Sequence, residues 1–90
     1  MKIEVTPLDI AAGEVSTTRC PIALAAKRAY APFFDDLDDL EIDCDGMFLG
    51  SEVVAFLPDT ASQFIEQFDR GWPVDPIEFD MPFDPPEVAS

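Results

Sequence analysis

Polar and apolar residues alternate one for one in three stretches of this chain: Lys2 to Thr6, Leu40 to Asp45 and Ile77 to Met81. Period-two alternation gives a strand one apolar and one polar face, so each stretch predicts a half-buried β-strand. Between them the spacing turns helical. Thr6-Pro7, with Asp9 in the turn that follows, marks a helix start, and Gly13 ends that helix after Ala12. Cys20-Pro21 opens a second, alanine-rich helix from Pro21 to Tyr30, with Lys27 and Arg28 in its last turn and Pro32 as its stop. Glu14 to Arg19 is a polar loop between the two. A third helix, Thr60 to Arg70, is capped by Asp59 or Thr60. It carries Phe64 and Phe68 one turn apart, with Ala61 and Ile65 on nearly the same face, and Gly71 closes it. Asp45-Gly46 is a hairpin-turn dipeptide, after which Met47-Phe48-Leu49 returns. Gly50 reads as a bulge, beyond which Glu52 to Leu57 continues the same strand.

The predicted order is β-α-α-β-β-α-β. This is an α+β domain with a small, mainly antiparallel sheet packed on helices, the last strand placed to pair beside the first. Ninety residues, 48% of them apolar and eight of them Phe, have the composition of one folded domain rather than a disordered acidic tail. Residues 82–90 are expected to fray. No apolar run reaches the roughly eighteen residues that a membrane span needs, and MKIEVTPLDI lacks the apolar stretch of a signal peptide. Cys20 and Cys44 have no CxxC spacing. In a reducing cytoplasm they are expected as two small buried thiols rather than a disulfide.

Charge changes this picture most. The chain holds 19 acids against 5 bases, a net charge of −14. The imbalance is not spread evenly. Residues 1–28 hold Lys2, Arg19, Lys27 and Arg28 against Glu4, Asp9 and Glu14, whereas beyond them Arg70 stands alone against sixteen acids. Seven of those lie between positions 35 and 45: Asp35, Asp36, Asp38, Asp39, Glu41, Asp43 and Asp45. A field of this sign repels nucleic acid and attracts basic surfaces. On a regular strand Glu41, Asp43 and Asp45 would share one face at a repeat of about 6.7 Å, with Leu40, Ile42 and Cys44 turned to the core. Glu78 and Asp80 repeat the device opposite Ile77, Phe79 and Met81. DNA presents a phosphate about every 3.4 Å along each strand, so such a row suits a groove built for phosphates. A solvated sheet face, with acids discouraging edge pairing, is the plainer use of the same residues.

Other chemistries fit less well. Glu41, Asp43, Asp45, Gly46 and Glu52 fall at positions 1, 3, 5, 6 and 12 of an EF-hand-like loop, with Phe48 at position 8. Glu replaces the Asp wanted at the first position, and the flanks read as strands rather than helices. No cofactor or metal is therefore expected. The chain has no His, its four glycines are scattered singly, and a glycosidase carboxylate pair needs a sugar cleft that ninety residues seldom build. Catalysis is not expected. Trp72, between Gly71 and Pro73, is either a lid over the third helix or an exposed binding anchor, with Phe34 and Phe48 as further apolar anchors.

Three stretches resemble a group of small, uncharacterised proteins of phages and prophages: Ile3 to Ile10, Arg19 to Ala25, and Phe64 to Val74 leading to Pro76-Ile77-Glu78-Phe79. The resemblance implies a mobile-element origin and a bacterial cytoplasm. In size, charge and lack of catalytic groups the chain is also similar in type to anti-CRISPR inhibitors, a likeness that carries over no individual contact residue. The expectation is a stoichiometric inhibitor, monomeric or homodimeric. It would present Asp35, Asp36, Asp38, Asp39, Glu41, Asp43 and Asp45, extended by Glu78 and Asp80 and anchored by Trp72, to a basic nucleic-acid-handling host protein or CRISPR effector complex. Direct contact with nucleic acid or membrane is not expected. The alternative is a non-catalytic structural or adaptor protein of a mobile element, joined as a homodimer at a sheet edge.

Overall fold

Five strands and three helices follow one another in the computed structural model, which describes residues 1–34, 36–50 and 52–83: β1 (Lys2–Val5), α1 (Pro7–Ala12), α2 (Pro21–Tyr30), β2 (Leu40–Ile42), β3 (Gly46–Leu49), β4 (Glu52–Phe56), α3 (Asp59–Asp69) and β5 (Ile77–Asp80). The class is α+β with antiparallel pairing, as the alternation predicts. The order differs from the expected one by one strand. At Gly50, with φ +64°, the chain reverses instead of bulging, so Glu52–Phe56 runs back along β3 as a separate strand. A left-handed backbone of this kind is where glycine is favoured, and it serves a tight turn better than a continuing strand.

The strands form two sheets rather than one. β1 and β5 pair as a two-stranded ribbon, Ile3 opposite Phe79, while β2, β3 and β4 form a three-stranded sheet in chain order. Alternation explains the ribbon: Ile3, Val5 and Phe79 are buried, while Lys2, Glu4, Glu78 and Asp80 face outward. Met1, just before β1, is tied to the residue just after β5. The Met1 ammonium donates to the Met81 carbonyl, and the Met81 amide donates back to the Met1 carbonyl.

α2 is the centre of the molecule and packs against β1, α1 and β2. Ala23, Ala25 and Ala26 let its backbone approach closely, and Ile22 and Tyr30 fill the space between elements. The Tyr30 hydroxyl donates to the Phe83 carbonyl at 2.6 Å, and its ring meets Phe34 and Phe83 edge-on or tilted. The chain is thus still anchored at Phe83; residues 84–90 lie outside the described part. α3 starts one residue earlier than the sequence suggests and packs on β5. Its N-cap is Pro58, which offers no side-chain oxygen, so the expected Asp59 or Thr60 cap is not used. The far end is capped by backbone alone. The Gly71 amide donates to Phe68 and the Trp72 amide to Gln67, with Gly71 at φ +75°, the bonding pattern of a Schellman motif.

Gly46 is a glycine for a different reason from the one the Asp45-Gly46 dipeptide suggests. Its φ is not positive, and it lies within β3. A Cβ there would stand 2.5 Å from the Ala55 carbonyl oxygen, a backbone atom with no rotamer to escape into. Gly46→Ala is accordingly expected to pry β3 from β4 and lower stability by about 2–3 kcal/mol. That is a fall of roughly 10 °C or more in melting temperature for a domain of this size. An unchanged melting temperature would show that β4 gives way freely at this point.

Candidate partner-binding surface

The acidic run divides between loop, strand and turn. Asp36, Asp38 and Asp39 lie in the connection from α2 to β2, and Asp35 is outside the described residues. The Asp36 carboxylate turns the chain locally by accepting from the Asp38 amide at 2.9 Å. Glu41 alone sits on a strand. β2 stops at Ile42, and Asp43 to Asp45 form the turn to β3, where Asp43 Oδ1 accepts from the amides of Asp45 at 2.8 Å and Gly46 at 3.1 Å. An Asp placed to close a turn with its own side chain ends the strand early, because its oxygen competes for backbone amides that a ladder would otherwise use. The expected strand-spaced row of Glu41, Asp43 and Asp45 is therefore not formed. Cys44, expected in the core opposite that row, is exposed in the turn.

What the fold does bring together is a shallow groove of about 290 Å³ lined by Thr18, Asp38, Asp39, Glu41 and Gly50. Glu41 is held at one side by Thr17, whose hydroxyl donates to Glu41 Oε1 at 3.2 Å, and the Thr17 carbonyl accepts from the Ile42 amide. Lys27 donates to the Thr18 carbonyl at 2.7 Å rather than to an acid. The ion pairs lie elsewhere: Lys2 with Glu78, Arg19 with Glu14, Arg28 with Asp9 and Arg70 with Glu66. Among the described residues no carboxylate from Asp36 to Asp45 is paired with a cation, so their field is directed to solvent.

Glu78 and Asp80 belong to the other sheet and do not extend that groove. They face outward from β5 beside Lys2, whose ammonium binds Glu78 and is held protonated by that hydrogen bond and charge. Glu4 stands directly opposite Glu78, a like-charge pair that the neighbouring Lys2 offsets. The contribution of β5 to an external field is thus partly cancelled at its source. Trp72 is no lid. The residue is 54% exposed, with the Arg70 guanidinium 5.2 Å from the ring centroid. Capping by Gly71 explains this, since the left-handed turn carries the chain away from the end of α3.

The sequence reading missed two residues of the three-stranded sheet. Val53 and Phe56, assigned to an ordinary strand, are 51% and 75% exposed. The usable signal was Val53 to Leu57 itself, a run of apolar residues without alternation, which the fold places mostly on a strand that has only one sheet neighbour.

A cleft of about 210 Å³ between the Val15–Cys20 loop, β2 and α3 is lined by both cysteines together with Ile42, Ile65, Asp43 and Asp69. Both thiols are free; Cys20 is buried, and burial pushes its pKa up, away from the reactive thiolate. Among the described residues no three His, Cys, Asp or Glu side chains are gathered closely enough to hold a metal ion. The EF-hand-like spacing of Glu41 to Glu52 falls on three antiparallel strands and the turns between them. No helix of the described residues is long and apolar enough to cross a membrane. Comparison with protein-family models, curated proteins and solved structures yields no match.

Proposed function

We propose that this chain is a stoichiometric, non-catalytic inhibitor of the kind phages carry, acting in the bacterial cytoplasm on a host defence complex, with a CRISPR effector as the first target to test. It occupies the Lys/Arg-lined surface on which that complex binds nucleic acid. One observation carries the reading. The carboxylates of Asp36, Asp38, Asp39 and Asp45 are exposed on a folded body with no cation paired to them among the described residues, while the ion pairs lie elsewhere. An acidic surface built this way loses little on meeting a basic groove, because no internal partner has to be displaced.

The test is a pull-down from nuclease-treated lysate of CRISPR-bearing bacteria, eluted in salt steps and read by mass spectrometry. The tag belongs at the C-terminus, since Met1 is tied to Met81 at the end of the β1–β5 ribbon. Recovery of one nucleic-acid-handling complex, released as salt rises, is the expected result. Recovery of the chain alone, or of phage structural proteins, overturns the inhibitor reading in favour of an assembly role.

A further inference from the structure

We propose that the outer face of the β2–β3–β4 sheet seats the partner, and that the partner meets it with a surface mixing Lys/Arg and apolar side chains. This rests on the inhibitor reading and adds its apolar anchor. In an unbroken β4, Val53 and Ala55 would point to the same side. The register prevents it: Met47 lies opposite Ala55 and Phe48 opposite Val53, so Val54 is an extra residue on β4. This bulge turns Val53 outward while Ala55 stays in the core at 7% exposure. Glu41 lies opposite Phe48 on the same outer face, and Phe56 lies opposite Gly46, which has no side chain to cover the ring. The register thus places exposed Val53 and Phe56 on the same outer face as half-buried Phe48, across two neighbouring strands. Single exposed apolar residues are ordinary, but a contiguous group on a small, highly charged protein marks an interaction surface.

Charge selects the occupant. Residues 29–69 contain no Lys or Arg, so every charged side chain on the strands of this sheet and on the β2–β3 turn is an acid: Glu41, Asp43, Asp45 and Glu52. A second copy would bring the same acids face to face, whereas a cationic partner is drawn in and then held by apolar contact at the centre. The bulge also interrupts the free edge of β4, which favours contact through the face over addition of a strand.

The experiment titrates the ¹⁵N-labelled protein with two short synthetic peptides, one alternating Arg and Leu, the other with every Leu replaced by Ser. Amide shifts centred on Phe48, Val53 and Phe56, and binding at least about tenfold tighter for the Arg-Leu peptide, are expected. Phe56→Ser, at an exposed position, should reduce the Arg-Leu peptide to the affinity of its Ser twin without moving the melting temperature. Equal affinities, or shifts centred on Trp72 or on Glu78 and Asp80, overturn this surface while leaving a cation-binding inhibitor standing. Binding of neither peptide overturns the inhibitor reading as well. Shifts at the same amides on raising protein concentration alone assign the face to a second copy and overturn the proposed occupant.

Discussion

Asp9→Asn is expected to cost about 2–4 kcal/mol of folding stability at neutral pH, a large part of the roughly 5–15 kcal/mol that holds a domain folded. Asp9 is 5% exposed and serves three elements at once. Its Oδ2 accepts from the Thr6 amide at 2.9 Å while the Asp9 amide donates to Thr6 Oγ1, a capping box that starts α1. Both its oxygens take the Arg28 guanidinium, at 2.7 and 2.9 Å, and the same Arg28 donates to the Glu4 carbonyl of β1. Asparagine keeps one acceptor but turns an N–H₂ toward the half-exposed guanidinium, so the two-armed, charge-assisted pair is lost at the buried Asp9 end. The variant should also change the response to acid. The Arg28 hydrogen bonds, outweighing burial, hold the Asp9 carboxyl below its ordinary value of 3.8. Its stabilisation is therefore complete above that value and is lost as pH falls through the lower, folded-state pKa. Urea unfolding at pH 7 and near pH 3 should show a gap between wild type and variant that narrows in acid. A gap of constant size would assign the loss to the cap alone. Arg28→Lys should recover little, since an ammonium cannot match both oxygens.

The elements set by local chemistry were legible in the sequence. Thr6-Pro7-Leu8-Asp9 and Cys20-Pro21 mark their helix starts because the cap and the proline act within one turn. The Lys2–Val5 and Ile77–Asp80 alternation shows its buried face because a ribbon has one wet side. What the sequence hid depends on partners distant in the chain. Gly50 reads as a bulge in one continuing strand until β4 is seen beside β3, where it is the turn between them. The true bulge, at Val54, exists only as a difference in register between two strands. Gly46 carries the hairpin signal for a reason that only the Ala55 carbonyl reveals. The acidic site was legible as charge but not as shape. Alternation from Leu40 to Asp45 continues past Ile42 on paper, whereas Asp43 folds its carboxylate onto the turn amides and ends the strand. Val53 and Phe56 were legible as apolar but not as exposed.

Neutralising three acids together, by Glu41→Gln, Asp43→Asn and Asp45→Asn, is expected to slow association with the captured complex by roughly an order of magnitude and to flatten its salt dependence. The fold should survive. After Asp43→Asn the side-chain amide oxygen can still accept from the Asp45 and Gly46 backbone amides, and after Glu41→Gln from the Thr17 hydroxyl. Among the described residues none of the three carboxylates is paired with a cation, so no buried charge is left stranded. Rim charges of this sort act on the approach of the partner more than on its departure, so the dissociation rate should change little. Phe56→Ser should do the opposite, raising the dissociation rate while leaving association and its salt slope almost intact, because apolar contact forms only once the partner is seated. Glu78→Gln with Asp80→Asn is the matched control: it removes acids of the other sheet, one of them already bound to Lys2, and should have a smaller effect on association. Stopped-flow or biolayer measurements at two salt concentrations separate these cases. Unchanged association in the triple variant would take the β2–β3 acids out of the mechanism, and a larger effect from the β5 pair would move the contact to the ribbon.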